Sequence, residues 1–348
     1  MRIAFFINGF ELEHPRYTTT LLAMTARDRG HDVCYVTPDD FILRPDDGMS
    51  VRAAVPRKKK FKDGEEWVAA LQGEEFAPKT IDISDIDVLM LRNDPSLDAA
   101  ERPWAAQAGI VFGQFAKESG VIVLNDPDGL SRAQNKLYFQ SFPSDVRTKT
   151  LISKHADEIK SFVTKQKGKV IIKPLQGSGG KNVFMVKSAK DENLNQIIEA
   201  LSKEGYIIAQ TYLAEAKQGD IRLFLMNGRP LERDGKFAAV KRVPTGDDIR
   251  SNMHAKGEAE KVDVTEEHLR VAELVRPKLV RDGMFFVGLD IVGDKILEIN
   301  VFSPGALMSA SDTQGTSFAE TIIDAIERKV EIRDSVLRRF DNAELATF

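Results

Sequence analysis

Two carboxylates and an amide in the segment FFVGLDIVGDKILEIN could together bind a divalent cation. Apolar and polar residues alternate on both sides of a three-residue loop, Gly293–Lys295, which predicts a β-hairpin. In that register Asp290 lies opposite Glu298, with Asn300 on the same face. The other face is shared by apolar side chains, namely Leu289, Ile291, Leu297 and Ile299. Paired carboxylates repel each other without a cation, so a Mg²⁺ site is favoured over the alternative of two solvated acidic residues.

A second chemical feature is the glycine-rich stretch VIIKPLQGSGGKNVFMVK, which runs from Val170 to Lys187 between two strand-forming segments. Glycine tolerates positive φ, so consecutive N–H groups of such a turn can converge on phosphate oxygens. Lys173, in the strand before the turn, could reach the same phosphates as a point charge. The stretch is not a Walker A loop, because Asn182 follows Lys181 where Ser or Thr is required. A plain surface hairpin with a solvated lysine is the alternative.

The first third of the chain must position these groups, and it alternates between strand and helix patterns. RIAFFI and DVCYVT predict strands, and YTTTLLAMTARDRG predicts a helix between them that ends at Gly30. IDVLMLR and VIVLN predict further strands, with AGIVFGQFAKESG as a helix between them. This rhythm predicts a parallel sheet covered by helices. The first strand is followed by Asn8-Gly9 without G-x-G-x-x-G, so a dinucleotide-binding site is disfavoured.

One basic run, VRAAVPRKKKFK from Val51 to Lys62, interrupts this rhythm. It predicts a solvated loop or an exposed hairpin, and a polyanion contact is the alternative.

The centre and the C-terminal half predict a mostly antiparallel organisation. VIIKPLQ, NVFMVK and YIIAQTYL predict strands, and ENLNQIIEALSKEG predicts an amphipathic helix. Beyond Asp220 the dipeptide Asn227-Gly228 predicts a tight hairpin turn, and TEEHLRVAELVRPKLVRDG predicts a helix before the second hairpin. The last eighteen residues predict an appended helix with a frayed end.

Turn and capping residues in NDPDGLSRAQNK mark a boundary near Asn125. We therefore predict an N-terminal α/β substrate domain over residues 1–124 and a part with a glycine-rich lid over 125–213. The part with the cation site follows over 214–330, and a C-terminal extension over 331–348.

The composition excludes several classes of function. The 348 residues are 42% hydrophobic and 29% charged, with a net charge of −4. Nucleic-acid binding is not expected, because counterion-driven association needs a clustered basic face. Membrane insertion is not expected either, because the apolar runs are too short for a span and the first ends too early for a signal peptide. We expect a cytoplasmic protein in which the single Cys34 is a core residue and excludes an internal disulfide.

The order of these motifs resembles that of the ATP-grasp ligases, and most closely that of the bacterial glutathione synthetases. The matching stretches run from Ile86 to Pro304 in family order: LMLRNDP, NDPDGLSRAQNKLYF, VIIKPLQGSGGKNVFMVK, IAQTYL, GDIRLFLMNGRP, KRVPTGDDIRSN and MFFVGLDIVGDKILEINVFSP. The resemblance implies an ATP-grasp fold, α/β overall and α+β in the C-terminal half, with an N-terminal parallel α/β pre-ATP-grasp domain. It also implies ATP and Mg²⁺, or Mn²⁺ in its place. We further expect a homo-oligomer that acts on small molecules.

The resemblance also implies a role for each matched residue. The nucleotide would be bound by Lys136, Lys173, Gly177, Ser178, Gly179, Gly180, Gln210, Tyr212, Leu213 and Asn300. The metal ligands would be Asp290, Glu298 and Asn300. The catalytic groups would be Arg222, Arg250 and Lys173. The substrate contacts would be Arg16, Arg92, Asp94, Asp220, Arg242, Asn252 and Ser303.

A ligase of this kind uses ATP to convert a carboxylate into an acyl phosphate, from which an amine displaces phosphate to form an amide. The resemblance implies γ-glutamylcysteine and glycine as substrates. Three departures fall on the substrate side: HPRYTTTLLAM lacks the usual Lys-Asp, Asn93 replaces a usual Lys, and GALMSASD follows Ser303-Pro304. An ATP-grasp ligase for another peptide or amino-acid pair, and a non-catalytic nucleotide-binding protein, are the alternatives.

Overall fold

The computed structural model describes residues 1–166, 168–176, 182–244, 258–335 and 340–348. Within these residues the strands form an N-terminal sheet, a small sheet, a C-terminal sheet and a short ribbon. The predicted glycine turn, with Gly177, Ser178, Gly179 and Gly180, lies outside the described residues, as do Arg250 and Asn252.

The N-terminal sheet confirms the predicted α/β beginning of the chain. Its strands are β1 (Arg2–Phe6), β2 (Asp32–Val36), β3 (Phe41–Leu43), β4 (Met49–Pro56), β5 (Phe76–Asp82), β6 (Val88–Leu91) and β7 (Ile122–Leu124). The order β2-β1-β6-β7 is parallel, and β3, β4 and β5 add antiparallel strands beside β2. The helices of this part are α1 (Thr18–Asp28), α2 (Gly64–Gln72), α3 (Pro95–Asp98), α4 (Pro103–Glu118) and α5 (Pro127–Arg132). Alternate residues of β1 enter separate core clusters, so both faces of the sheet are covered.

The expectation of a loop or exposed hairpin for the basic run is wrong in its first half. Val51 and Ala53 are fully buried within β4, because the apolar residues there alternate and the dense positive charge begins only at Arg57. Lys58, in the second half, forms ion pairs with Glu66 and Glu75.

The small sheet contains the strands that flank the glycine turn. Its strands are β8 (Thr150–Ser153), β9 (Val170–Pro174), β10 (Phe184–Val186) and β11 (Ile207–Thr211), in the antiparallel order β10-β9-β11-β8. Helices α6 (Ala156–Lys165) and α7 (Leu194–Glu204) cover one face through a separate core that includes Ile172, Ile207 and Ala209. The other face is therefore left for the candidate site.

The C-terminal sheet has the predicted antiparallel hairpins. Its strands are β12 (Asp220–Met226), β13 (Arg229–Pro230), β16 (Ala239–Val243), β17 (Glu258–Glu260), β18 (Phe286–Val292) and β19 (Lys295–Asn300), and the ribbon is β14 (Glu232–Arg233) with β15 (Lys236–Phe237). Asn227 and Gly228 have φ values of 53° and 72°, which confirms the tight turn between β12 and β13. Helix α8 (Glu266–Arg281) lies where it was predicted, and α9 (Leu307–Gln314), α10 (Phe318–Ser335) and α11 (Asn342–Thr347) complete the fold. The short 3₁₀ helices are Phe10–Leu12, Pro38–Asp40, Ile83–Asp85, Lys136–Ser141, Ser144–Val146 and Ala214–Gln218.

The predicted frayed C-terminal end is wrong, because α11 packs against the fold. Leu345 and Ala346 are buried. The Asn342 side chain accepts from the Val123 N–H at 2.8 Å and donates to the Val123 carbonyl at 2.9 Å. An amide in this position satisfies backbone groups of the edge strand β7, which would otherwise be open to another strand.

Among the residues described above, no helix combines the length and the apolar character that crossing a bilayer requires.

Candidate active site

The hairpin of β18 and β19 brings the predicted cation ligands together. Asp290 pairs with Glu298 as predicted, and Asn300 lies opposite Gly288, two residues along. The three oxygen-bearing side chains therefore lie on the same face of this hairpin.

The loop of this hairpin differs from the prediction. Val292 pairs with Lys295, so two residues rather than three form the loop. An irregularity at Leu297 inserts the extra residue that restores the pairing of the two carboxylates. Ile296 takes the buried position opposite Ile291 that Leu297 was predicted to share, and Leu297 lines a pocket instead.

The uncovered face of the small sheet forms one wall of this pocket. On β11, Ile208 and Gln210 line the pocket, while Ala209 packs into the core behind it. Lys173 on β9 pairs with Ile208 and also lines the pocket. Residues two apart on a strand are separated by roughly 7 Å. Lys173 and Gln210 thus mark two distinct positions along the wall, one charged and one neutral.

The pocket gathers many of the predicted site residues. These are Asp94, Lys136, Lys173, Gln210, Glu298, Asn300 and Ser303. The apolar part of the lining consists of Ala133, Pro95, Phe139, Leu175, Ile208, Leu297, Ile299, Val301 and Phe302. Apolar surface with a few charged and polar groups at defined positions suits a ligand that has a flat base and charged phosphates.

Two lysines in this lining are in an environment that disfavours their charged forms. Burial, followed by the nearby Lys173 ammonium, lowers the pKa of Lys136 from 10.5 to about 8. Burial likewise lowers the pKa of Lys173, and the Glu298 carboxylate partly opposes this effect. An anionic group between the two lysines would stabilise both ammonium ions, so this end of the pocket favours phosphate.

Asp290, by contrast, is buried against arginines. Arg222 Nε donates to Oδ1 of Asp290 at 2.5 Å, and Arg222 Nη2 donates to Oδ2 at 2.8 Å, which forms a bidentate pair. Arg242 Nη2 lies 2.8 Å from the same Oδ2 and also pairs with buried Asp220. Burial raises the pKa of Asp290, but the two arginines outweigh it and hold this pKa below its ordinary value.

The donor set fits a hard divalent cation. Glu298 is exposed, and it lines the pocket. Asn300 Nδ2 donates to Asp290 Oδ2 at 3.2 Å and to the Gly288 carbonyl at 3.4 Å, which turns its amide oxygen away from both acceptors. Within the described residues, Oδ1 of Asp290 accepts from Arg222 alone and keeps a lone pair for a metal. Oxygen ligands from two carboxylates and an amide suit Mg²⁺.

The segment after β19 is fixed by buried arginines. Arg92 Nη2 donates to the Pro304 carbonyl at 3.1 Å, and Arg222 Nη1 donates to the Gly305 carbonyl at 3.2 Å. These bonds hold Ser303 at the pocket. Arg92, which was predicted to contact substrate, is 5% exposed and binds protein backbone.

Other predicted residues do not line the described part of the pocket. Arg16 forms an ion pair of 2.6 Å with Asp312, and both side chains are 57% exposed. Tyr212 forms a cation–π contact with Lys169, whose ammonium lies 5.8 Å from the ring centroid. Leu213, after Tyr212, is also outside the lining.

One contributor that sequence reasoning missed is Asn8. Its Nδ2 donates to the Asp94 carbonyl at 2.9 Å, and its Oδ1 accepts from the Asp94 N–H at 2.7 Å. The signal was present, since Asn8 and Asp94 follow β1 and β6, and the carboxyl ends of neighbouring parallel strands meet at one edge. Asn8 therefore positions the Asp94 turn at the pocket.

The fold is shared with solved structures of ligases. A D-cycloserine synthetase aligns with a TM-score of 0.63 at 14% identity, covering 94% of this chain and 99% of the other. The ATP-grasp ligase PsnB in complex with a minimal precursor, Mg and ADP aligns with a TM-score of 0.58 at 15% identity, covering 94% and 97%. D-alanyl-alanine synthetase A from Vibrio cholerae aligns with a TM-score of 0.56 at 12% identity, covering 95% and 98%. The chain therefore has the ATP-grasp fold.

The family follows from the sequence comparisons. The model of the prokaryotic glutathione synthetase N-terminal domain matches residues 1–131, and that of the ATP-grasp domain matches residues 135–315. Glutathione synthetase of Gloeobacter violaceus is 34% identical over 328 residues, which cover 93% of this chain and 96% of the relative. The enzyme of Agrobacterium fabrum is 33% identical over 324 residues, with coverage of 91% and 93%. The chain belongs to the prokaryotic glutathione synthetase family.

Proposed function

We propose that this ATP-dependent ligase joins the carboxylate of γ-glutamylcysteine to the amine of glycine, with glutathione, ADP and phosphate as products. The observation that carries the proposal is that Lys136 and Lys173 line the same pocket as Glu298 and Asn300. Cations on one side and oxygen ligands on the other can hold a nucleotide triphosphate with its metal.

The first step is attack of the substrate carboxylate on the γ-phosphorus of ATP. A P–O bond to the carboxylate forms, the bond to ADP breaks, and an acyl phosphate results. Such a transfer depends mainly on positioning and on charge stabilisation. Lys136 and Lys173 would bind the phosphate oxygens, since burial makes an anion between them favourable.

Glu298, the Asn300 amide oxygen and Oδ1 of Asp290 would hold Mg²⁺, which neutralises phosphate charge when bound. Arg222 and Arg242 keep Asp290 ionised and in place. Arg222 would thus act through Asp290, in addition to the contact with the reacting carboxylate that the resemblance implies.

In the second step the amine of glycine attacks the acyl carbon, phosphate leaves, and a proton is lost from nitrogen. The acyl phosphate must be shielded from water at this stage. We propose that Gly177, Ser178, Gly179 and Gly180 provide this cover and bind phosphate. Arg250 and Asn252 would bind the acceptor. The support for these six residues is the family resemblance, since they lie outside the described part of the chain.

We also propose the four-part division at residues 124, 213 and 330, in which the first part binds the acceptor peptide and the middle parts bind nucleotide and metal. The separate core of the small sheet supports an independent second part.

A different peptide or amino-acid pair is the second candidate, and two observations favour it. Arg16, which the resemblance implies as a substrate contact, forms an exposed ion pair with Asp312. Arg92 is buried, and its guanidinium donates to the Pro304 carbonyl and to the Thr19 hydroxyl. Within the part of the chain that the structure describes, fewer cations than expected are therefore available to an anionic peptide.

The test is phosphate release from ATP in the presence of Mg²⁺ and defined substrates. We expect release only when γ-glutamylcysteine and glycine are both present, with glutathione formed in equal amount. Release that requires another dipeptide or another amine would support the second candidate. Absence of release with every carboxylate and amine tested would contradict the ligase proposal.

A further inference from the structure

A hydrogen-bond relay lies beneath the neutral end of the pocket. Gln210 is 5% exposed, and it shares the pocket face with Ile208. Its direct partner across the strands is Thr150 on β8. A direct partner in an antiparallel pair lies on the same face, so the two side chains meet.

The relay has a fixed direction. The Thr150 hydroxyl donates to the Thr148 carbonyl at 2.9 Å. A hydroxyl has a single proton, so the Thr150 oxygen can only accept from another group. The Gln210 atom beside it, at 3.4 Å, must then be the amide nitrogen Nε2. Thr148 and Thr150 together therefore orient the Gln210 amide so that its Nε2 faces Thr150.

The consequence is an oriented acceptor in the pocket. With Nε2 committed to Thr150, the Oε1 oxygen of Gln210 is left to the pocket, and no donor contacts it within the described part of the chain. The adjacent lining includes Ile208 and other apolar side chains that suit the face of a heteroaromatic ring. A buried acceptor selects a ligand edge that carries an N–H donor, because an acceptor placed against it would leave both groups unpaired.

We propose that Thr150 is a positioning residue for nucleotide selection: it orients Gln210 so that the site accepts a base with an exocyclic amine and rejects one with a carbonyl at that position. Adenine fits this requirement, and hypoxanthine does not. The inference rests on the proposed use of a nucleotide and is independent of which carboxylate and amine are joined.

The experiment is calorimetric titration of the full-length protein with ADP, IDP and purine riboside 5′-diphosphate in the presence of Mg²⁺. Purine riboside diphosphate lacks the 6-substituent and therefore reports on phosphate, ribose and stacking alone. We expect Thr150→Val to reduce the preference for ADP over IDP by about tenfold, which corresponds to loss of one oriented hydrogen bond. Affinity for purine riboside diphosphate should stay within about twofold. Thr150→Ser keeps the hydroxyl and should keep the preference.

The result that would overturn the inference is equal weakening of all three nucleotides in Thr150→Val, or an unchanged ratio of ADP to IDP affinity. Gln210→Met provides an independent arm if Thr150→Val does not fold. It should lose the same preference, and the double variant should lose no more than either single variant. An unchanged preference in Gln210→Met would also overturn the inference. If the unmodified protein binds none of the three nucleotides, the proposed function fails together with the inference.

Discussion

Burial lowers the pKa of both lysines that line the pocket, whereas within the C-terminal sheet two arginines keep the buried Asp290 ionised. The lysines project from the 3₁₀ helix at Lys136 and from the small sheet, and burial disfavours their charged forms. The Asp290 cluster lies within the C-terminal sheet and is already neutralised by protein groups.

The difference separates a contribution to folding stability from a contribution to nucleotide binding. Asp290 forms its ion pairs with Arg222 and Arg242 inside the protein. These pairs should therefore stabilise the fold and position Oδ1 of Asp290 for the metal. Burial disfavours the charged lysines more than the Glu298 carboxylate stabilises them, so we expect these lysines to contribute to nucleotide binding and little to folding. We expect substitutions in the Asp290 cluster to lower the free energy of unfolding, and substitutions of the lysines to lower nucleotide binding and activity.

The largest effect is expected from Asp290→Ala. It leaves buried Arg222 without its carboxylate, while Arg242 keeps Asp220, and breaking a buried pair in this way costs about 3–5 kcal/mol. Urea unfolding should show this loss in the free energy of unfolding. Glu298→Ala is the matched control, because Glu298 is exposed, and its free energy of unfolding should change by less than about 0.5 kcal/mol. Equal destabilisation by the two variants would contradict the comparison.

On the lysine side, Lys173→Ala should lower phosphate release at saturating substrates by about a hundredfold or more, because a fixed charge at the transferring phosphate is lost. Glu298→Gln should have a comparable effect through the metal. Both variants should keep the unfolding midpoint of the unmodified protein. Retention of more than about a third of the activity in either variant would show that the assignment of the site is wrong.

A smaller effect is expected from pH. Burial lowers the pKa of Lys136 from 10.5 to about 8, and phosphate binding favours the protonated form. The dissociation constant of ADP without Mg²⁺ should be flat below pH 8 and should rise above it, by at most about tenfold per pH unit.

Calorimetry between pH 7 and 9.5 measures this dependence. Lys136→Arg keeps its charge throughout that range, so its pH dependence should be weaker. A dissociation constant that does not change up to pH 9.5 would show that Lys136 does not bind phosphate.

The smallest effect is expected at the exposed pair of Arg16 and Asp312. Such pairs contribute about 0–1 kcal/mol, so either alanine variant should change the free energy of unfolding by no more than that. Asp312→Ala frees the Arg16 charge, and we expect it to lower the KM of an anionic dipeptide severalfold with kcat unchanged. An unchanged KM would place Arg16 outside the acceptor site.

Much of the fold could be predicted because the relevant signals are local. Alternation of apolar residues predicted the strands, Asn227-Gly228 predicted a turn that needs two positive φ values, and paired faces predicted that Asp290 opposes Glu298. The loop of that hairpin was predicted wrongly, since a longer loop and a bulge both add one residue and leave the same pattern of faces.

The sequence by itself determined most of the secondary structure elements and the residue types available for phosphate and metal binding, because strand period, turn chemistry and side-chain chemistry act over a few neighbouring residues. Only the tertiary structure decided that Arg222 binds Asp290, that Asn342 covers β7, and that Thr150 orients Gln210. These partners lie 60 to 219 residues apart along the chain. Their pairing depends on which polar groups are buried together when the sheets pack, and a buried polar group must find its partner wherever the fold brings one.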